Sequence, residues 1–347
     1  MENKQELLNF AIVSNNSGEE IVNVIDKKNS SSKWVAWGSK NDIPRILLDN
    51  YLKCSNLQTI VNAIYDYIIG EGIVLKNVTD EERSEKIINV IEKCILDDII
   101  FGGFAVEGIR SRMGDIVEVN YINVMNVRVN EELTTAYISN KWGSYSGKDI
   151  IELPLYDKSQ KQNHFIYFNR GKLTRNINPI PTYIAALKSV EILNATRNFH
   201  LNNLKNGFNV SAIVNLNNGN IKSAELKEIQ ERLKTNFTGS ENAGKFLLIN
   251  NPDKEHEATV ARLNADNFSD LYQALDKSSK DDLYVAFRIN PILVGQNVAT
   301  GFSKEEFEQA YKLFDATVIK SWKNKIKKSF KEVLNLEVDF IPFKIDW

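Results

Sequence analysis

The sequence predicts an α+β fold, and three observations lead to that prediction. Between residues 43 and 100, apolar side chains recur at helical spacing in three successive segments. Between Phe104 and Phe168 the hydrophobic period changes to two, and Gly or Asn residues separate short segments, as is typical of antiparallel strands. Beyond residue 178, two long helical patterns flank a compact insertion that contains both periods. The chain therefore combines an α+β first half with a second half dominated by long helices.

Composition and charge exclude several classes of protein. The 347 residues are 43% hydrophobic and 25% charged, which is typical of a globular chain with room for about two domains. A net charge of −2 lacks the basic excess of a dedicated high-affinity DNA-binding protein. Cys54 and Cys94 lie in apolar helical patterns and are predicted to be buried free thiols. No apolar run approaches the roughly 18 residues that span a bilayer, so we expect no membrane contact.

The first 33 residues are rich in Asn, Ser and Lys and predict a loose arm with one strand near Ile21–Ile25. The first helix follows, with Asp42 as a candidate cap. Pro44 lies in its first turn, where the missing N–H costs nothing.

The second and third helices each begin with a capping-box pattern. Ser55 precedes Gln58 by three residues, and Thr79 precedes Glu82 in the same way. The third helix runs to about Ile100, and we expect an antiparallel meander to pack on these helices. Its five predicted strands are Phe104–Ile109, Ile116–Ile122, Asn126–Val129, Thr135–Asn140 and His164–Phe168.

Two long helices are predicted on either side of the insertion. The first runs from Asn178-Pro179 to Asn206-Gly207, because glycine is a common C-terminal stop. The second runs from about Asn267 to Arg288 and is ended by Asn290-Pro291. The insertion is predicted to contain a strand, a helix and a second strand, at Val210–Leu216, Ser223–Asn236 and Lys245–Asn250.

An uncharged stretch, Val294–Gly301, leads to the longest predicted helix, Lys304–Leu334. Ser303 begins that helix as the first residue of a third capping box. Asn335 ends it, and the alternation of Glu337–Ile345 predicts a terminal edge strand.

Six lysines crowd the last part of the longest helix, and they have two interpretations. Positive charge at a helix C-terminus complements the helix dipole on a solvated face. Alternatively, the lysines contact nucleic acid or an acidic neighbouring subunit. The six are Lys320, Lys323, Lys325, Lys327, Lys328 and Lys331.

One segment, Gly239–Lys245, matches most of a nucleotide-binding P-loop. In that motif a strand delivers the glycines to a helix N-terminus, which binds phosphate. Here the predicted helix comes first and the strand follows, and Phe246 replaces the hydroxyl residue that would bind magnesium. We interpret the segment as a turn, with a nucleotide-dependent enzyme as the remaining alternative. The three histidines are scattered without catalytic or metal-binding spacing, so we predict no enzyme, no cofactor and no metal site.

Several short segments, taken in order, resemble tailed-bacteriophage portal proteins, and the resemblance covers roughly residues 34–335. Each segment alone is a weak signal, whereas their order is a strong one. The segments are Trp37–Leu48, Ile69–Gly72, Phe101–Glu107, Tyr121–Arg128, Pro179–Tyr183, Lys205–Phe208, Asn242–Leu248 and Phe287–Gly295.

The resemblance implies a portal-like protomer with an α+β wing, two stem helices, a small α/β clip and a long C-terminal wing helix. We expect the large helical crown of longer portals to be short or absent. The implied parts are an N-terminal arm (1–33), the wing (34–177), the first stem helix (178–207), the clip (208–258), the second stem helix (259–290), the tunnel-loop region (291–303), and the long wing helix with the terminal strand (304–347).

The resemblance also implies a function and partners. Portal proteins form a ring of about twelve subunits at one capsid vertex. A large terminase pumps double-stranded DNA through the ring, and the tail or a head–tail adaptor attaches there. We therefore expect a virion protein that is assembled in the host bacterial cytoplasm and contacts the major capsid or scaffold protein. Another ring-forming head–tail connector is the alternative.

Two sets of site residues follow from the same resemblance. The tunnel loop would place Gln296, Asn297, Val298, Ala299 and Thr300 against the DNA. The clip helix would present Glu225, Lys227, Glu228, Glu231, Arg232 and Lys234 to the motor and the adaptor.

Overall fold

A computed structural model describes the backbone at residues 26–27, 33–142, 149–171, 176–205, 211–216, 246–250, 259–263, 268–296 and 303–344. Side chains are described at 33–142, 149–171, 176–201, 272–296 and 303–344. The chain forms two compact units. The larger comprises Met1–Lys188 and Leu283–Trp347, and the smaller comprises Ser189–Asp282. Helices and mostly antiparallel sheets occupy separate stretches of the larger unit, which confirms the predicted α+β class.

The larger unit begins with a short antiparallel strand pair and three helices. These elements are β1 (Asp26–Lys27), β2 (Ala36–Trp37), α1 (Ile43–Lys53), α2 (Ser55–Ile69), β3 (Gly72–Leu75) and α3 (Glu81–Phe101). Pro44 lies in the first turn of α1, as predicted. Two predicted caps are wrong by one residue. Cys54, not Ser55, precedes α2, and Asp80, not Thr79, caps α3 by accepting a 2.7 Å hydrogen bond from the Arg83 amide. The strand predicted near Ile21–Ile25 lies outside the described residues.

The predicted meander is instead two three-stranded antiparallel sheets. In the first sheet β4 is central, and Val106 faces Tyr121 of β5 on one side and Tyr167 of β9 on the other. The second sheet has the order β6-β7-β8. The half-exposed strand β8 was not predicted, because it lacks a regular alternation of buried and exposed residues. The strands are β4 (Phe104–Arg110), β5 (Ile116–Ile122), β6 (Val127–Val129), β7 (Thr135–Ile138), β8 (Ile151–Pro154) and β9 (His164–Asn169).

The smaller unit contains a three-stranded sheet and most of two helices. Strand β10 pairs in parallel with β11 and antiparallel with β12, and β12 was not predicted. The predicted clip helix Ser223–Asn236 and the loop Gly239–Lys245 lie outside the described residues. The strand that follows this loop is described. The elements are α4 (Leu187–Lys205), β10 (Ser211–Leu216), β11 (Phe246–Asn250), β12 (Thr259–Leu263) and α5 (Phe268–Phe287).

The helix predicted to begin at Asn178 begins at Leu187 instead. Pro181 disfavours the helical conformation at Ile180, and a single 3₁₀ turn, Ile184–Ala186, precedes the helix. The buried Asn178 side chain donates a 3.1 Å hydrogen bond to the Ala36 carbonyl, which ties this stretch to β2. The stretch is therefore a packed connector rather than the first turns of a helix.

The longest predicted helix is continuous but contains a π turn. It consists of α6 (Lys304–Phe314), the π turn Asp315–Ile319 and α7 (Lys320–Leu334), and β13 (Val338–Ile341) follows. Asn335 ends the helix in the left-handed conformation at φ 53°, as predicted for a helix stop. Strand β13 pairs antiparallel with β3, and these two strands form a separate ribbon.

The core of the larger unit lies where α2, α3 and α7 meet the first sheet. Ile91, Ile95 and Ile99 on α3 are fully buried, and the rings of Phe104 and Phe330 stack with centroids 6.1 Å apart. Cys54 and Cys94 are buried free thiols, as predicted. Burial raises the pKa of the Cys94 thiol, which keeps it protonated and unreactive. Among the helices of the described residues, none is both long enough and apolar enough to cross a membrane.

Candidate functional site

The predicted channel loop follows a short 3₁₀ turn, Pro291–Val294. The Asn290 side-chain oxygen accepts a 3.0 Å hydrogen bond from the Ile292 amide and so begins the turn. Gly295 ends it at φ 72°, a left-handed conformation that favours glycine. The Gln296 amide then donates a 3.0 Å hydrogen bond to the Pro291 carbonyl. The chain therefore reaches residue 296 through a fully hydrogen-bonded turn.

Two tyrosine hydroxyls hold this turn from neighbouring helices. Tyr67 on α2 donates a buried 2.8 Å hydrogen bond to the Leu293 carbonyl. Burial, with Tyr311 and Asp66 nearby, raises the pKa of Tyr67 to about 12, so its phenol remains a donor. Tyr284 near the end of α5 donates to the side-chain oxygen of Gln296. Sequence reasoning missed both tyrosines, because an aromatic residue on a helix is usually only part of the core.

The chain re-enters the described structure at the cap of α6. The Ser303 hydroxyl accepts a 3.1 Å hydrogen bond from the Glu306 amide, which confirms the predicted capping box on that side. Two and three turns further along, the rings of Tyr311 and Phe314 lie 5.5 and 6.1 Å from the Tyr67 ring. Tyr67 thus contacts the turn before the loop and the second half of the helix that follows it.

Most of the predicted site residues lie outside the described residues. Gln296 is described, half-buried and bonded to Tyr284. The remaining loop residues, Asn297, Val298, Ala299 and Thr300, and the clip residues, Glu225, Lys227, Glu228, Glu231, Arg232 and Lys234, lie outside. Their roles in the channel and in docking stay predictions.

The lysines of α7 make most of their contacts within the chain. Lys327 and Lys331 lie 2.7 Å from carboxylate oxygens of Asp339 and Glu337, and these pairs join the helix to the C-terminal ribbon. Lys323 is partly buried near the Phe340 ring, and desolvation lowers the pKa of its ammonium group. Lys320 and Lys328 are exposed. Lys327 and Lys331 therefore join α7 to the C-terminal ribbon, and contact of the six lysines with nucleic acid or an acidic neighbouring subunit stays a prediction.

Two adjacent acids on α3, Asp97 and Asp98, are both buried and have different partners. Asp97 accepts hydrogen bonds of 2.9 Å from the Tyr121 hydroxyl and 3.3 Å from the Val124 amide. Burial raises the pKa of Asp97 to about 7 despite these bonds. Asp98 binds Lys325 of α7, 2.5 Å away. Because adjacent helical residues point about 100° apart, the two acids join α3 to different elements rather than forming a two-carboxylate site.

Arg128 is a buried cation held by neutral oxygens. Its Nη1 donates to the Met125 and Val127 carbonyls at 3.0 and 2.7 Å, and its Nε donates to the Asn41 side chain at 2.6 Å. The guanidinium carbon lies 5.5 and 5.0 Å from the centroids of the Trp37 and Trp142 rings. Burial lowers the pKa of Arg128 to about 9.

A pocket of about 480 Å³ lies beside the Asp98–Lys325 pair in the larger unit. Its wall combines aliphatic side chains such as Ile64 and Val318 with the indole of Trp322. In the described part of the chain, no group of His, Cys, Asp and Glu residues is placed to hold a metal ion.

The helices of the smaller unit expose apolar side chains. Phe199 of α4 stacks on Tyr272 of α5 with ring centroids 4.8 Å apart, yet 36% of Phe199 remains exposed. Leu201 of α4 and Leu275 of α5 are 48% and 37% exposed. Phe199, Leu201 and Leu275 are therefore apolar side chains that remain partly accessible to solvent.

Residues 85–346 match the family model described as phage portal protein. The chain therefore belongs to the phage portal protein family, and its role is that of a portal connector. This is a family of structural proteins.

Solved structures with a similar fold come from gene transfer agent particles. A chain in the virion of a native particle has a TM-score of 0.56 and 12% identity, covering 87% of this chain and 83% of that one. A chain in the neck of an empty particle, computed with C6 symmetry, has a TM-score of 0.55 and 11% identity, covering 86% and 84%. A chain in the neck of a native particle, computed with C12 symmetry, has a TM-score of 0.51 and 13% identity, covering 85% and 84%. No curated protein matches the sequence.

Proposed function

We propose that copies of this chain close into a ring of about twelve subunits at one capsid vertex and that DNA is packaged through its centre. The observation that carries this proposal is the family match over residues 85–346. The exposed apolar residues of α4 and α5 support the ring, because a neighbouring copy would remove them from water. The C12 symmetry of the similar neck structure belongs to that particle and supports the subunit number here.

The parts of the protomer are assigned by the same proposal. Residues 34–177 form the wing, residues 178–207 and 259–290 carry the two stem helices, and residues 208–258 form the clip. The tunnel-loop region is 291–303, and the long wing helix with the terminal strand occupies residues 304–347.

The ring acts as a conduit, and a separate terminase motor hydrolyses ATP. A channel must let DNA slide, so tight binding of phosphates would oppose transport. Any side chain that faces the channel is repeated in every subunit, which multiplies its charge. The near-neutral chain, with 43 basic and 45 acidic residues, suits this requirement. The uncharged loop residues 296–300 would contact the DNA backbone through weak, exchangeable hydrogen bonds.

The partners proposed are the terminase, the head–tail adaptor and the capsid or scaffold protein, with assembly in the host bacterial cytoplasm. The clip helix carries alternating charges that suit a docking surface.

Mass photometry and negative-stain microscopy of the purified full chain test the ring directly. We expect closed particles near twelve subunits, including on co-expression with the scaffold protein. A monomer at all concentrations, with and without scaffold, would contradict the proposal.

A further inference from the structure

One side chain, Tyr67, contacts both the turn before the loop and the helix that follows the loop. The Tyr67 hydroxyl bonds to the Leu293 carbonyl on the entry side, 2.8 Å away. The Tyr67 ring packs against Tyr311 and Phe314 of α6 on the exit side. Tyr67 is 7% exposed and lies on α2, an element with many fully buried residues. The turn before the loop and the second half of α6 therefore both contact α2 through Tyr67.

A second anchor acts at the last described residue before the loop. Tyr284 is 8% exposed and donates its hydroxyl hydrogen to the Gln296 side chain. Gly295 lies between the two anchored positions at φ 72°, and nothing lies within 4 Å of the position that a Cβ would take there. Glycine is thus favoured by the backbone conformation and not by lack of space. The two tyrosine hydroxyls therefore add side-chain hydrogen bonds from neighbouring helices to a turn that is already closed by its own backbone bonds.

We propose that Tyr67 and Tyr284 are positioning residues for the channel loop. They hold the turn of residues 291–296 from which the loop starts, so that equivalent loops in a ring start from the same position. The expected contact between the loop and DNA rests on the function proposed above. The anchoring of the turn by the two tyrosines does not depend on that function.

Hydrogen–deuterium exchange of the full chain tests the anchoring. Tyr67→Phe and Tyr284→Phe should each raise exchange in the peptide covering residues 291–296 by roughly fivefold, because each removes one hydrogen bond. Tyr311→Phe makes the same chemical change in the same aromatic cluster and should leave this peptide unchanged, because no described residue accepts a hydrogen bond from its hydroxyl.

Two substitutions of Gln296 separate a hydrogen bond from simple packing. Gln296→Glu keeps an acceptor for Tyr284 and should exchange like the wild type. The Gln296→Met variant should show the same raised hydrogen exchange as Tyr284→Phe. The double variant Tyr284→Phe/Gln296→Met should show no more exchange than either single variant. Additive effects, or exchange unchanged in both tyrosine variants, would overturn the anchoring.

A packaging assay with intact rings then tests the positioning. Tyr67→Phe and Tyr284→Phe should lower the packaging rate at least twofold, while Tyr311→Phe should not. Raised exchange with normal packaging would overturn the positioning role. A separate variant with lysines at Asn297 and Thr300 tests the proposed function on its own. If the lysine variant packages more slowly than the wild type, the loop contacts DNA, and normal packaging by the two tyrosine variants then counts only against the positioning role.

Discussion

Lys325 and Asp98 form an ion pair in the core of the larger unit, with Nζ 2.5 Å from Oδ1. The Asp98 side chain is fully buried, and 22% of the Lys325 side chain is exposed. The ammonium group also lies 5.7 and 6.0 Å from the centroids of the Trp322 and Phe104 rings. This contact joins α7 to α3, which are 227 residues apart in sequence at these positions.

Lys325→Met should destabilise the protein by about 3–5 kcal/mol, because it leaves a buried carboxylate without its cation. Lys328→Met is the matched control, since Lys328 is 74% exposed and lies 3.9 Å from Glu332. The control should change stability by less than about 1 kcal/mol. Urea unfolding followed by circular dichroism measures both. Equal stability of the two variants would show that the buried pair contributes little.

Asp97→Asn should change how stability depends on pH. The pKa of Asp97 is raised from 3.8 to about 7, so the folded state binds more protons than the unfolded state between these values. Stability from this group is therefore fully present below about pH 4 and is lost as the pH rises through 7. Asn retains an oxygen for Tyr121 and Val124, so the variant should be about 2–4 kcal/mol more stable than the wild type at pH 8. Thermal unfolding from pH 4 to 8 tests this, with the exposed Asp49→Asn as control; parallel curves for wild type and Asp97→Asn would contradict it.

Leu201→Glu combined with Leu275→Glu should prevent ring closure while the subunit still folds. Both residues are partly exposed on α4 and α5, so the charges cost little in the monomer but much in an apolar interface. Met113→Glu, at a residue 91% exposed in the turn between β4 and β5, is the control and should form rings. Mass photometry measures the distribution of species. Normal rings in the double variant would place the subunit interface elsewhere.

Asn297→Lys combined with Thr300→Lys should slow or stall packaging with a strong dependence on salt. In a ring, these substitutions would place about two new positive charges per subunit around the DNA. Gln160→Lys adds charge at an exposed turn between β8 and β9 and should package normally. Normal packaging by the double variant, with rings verified by microscopy, would show that the loop does not face the DNA.

Glu228→Lys combined with Glu231→Lys should weaken binding of the terminase or the adaptor, because charge reversal opposes a complementary surface. Glu118→Lys on the exposed face of β5 reverses a charge far along the chain from the clip and should bind both partners normally. Pull-down of each partner by assembled rings measures the effect. Undiminished binding of both partners by the clip variant would place docking elsewhere.

Local patterns were enough to predict many elements of this protein. The Ser303 cap, the Asn335 stop and the strand Ile116–Ile122 were predicted at the positions where they occur, because caps and hydrophobic periods act within a few residues. The order of the portal-like segments also predicted the family. The beginning of α4 was wrong, since the packing of Asn178 on β2 overrides a local pattern that looks helical.

Tertiary structure alone decided which distant residues meet. No local sequence pattern predicts that β3 pairs with β13. Nor does a local pattern distinguish Lys325, which binds a buried acid, from the exposed Lys328. The same holds for Tyr67, whose hydroxyl contacts a carbonyl 226 residues away in sequence. A hydrophobic period shows which face of an element is buried, but the partner on that face depends on the packing of the whole unit. The sequence by itself therefore determined the elements and the family, and the fold decided how the base of the loop is held.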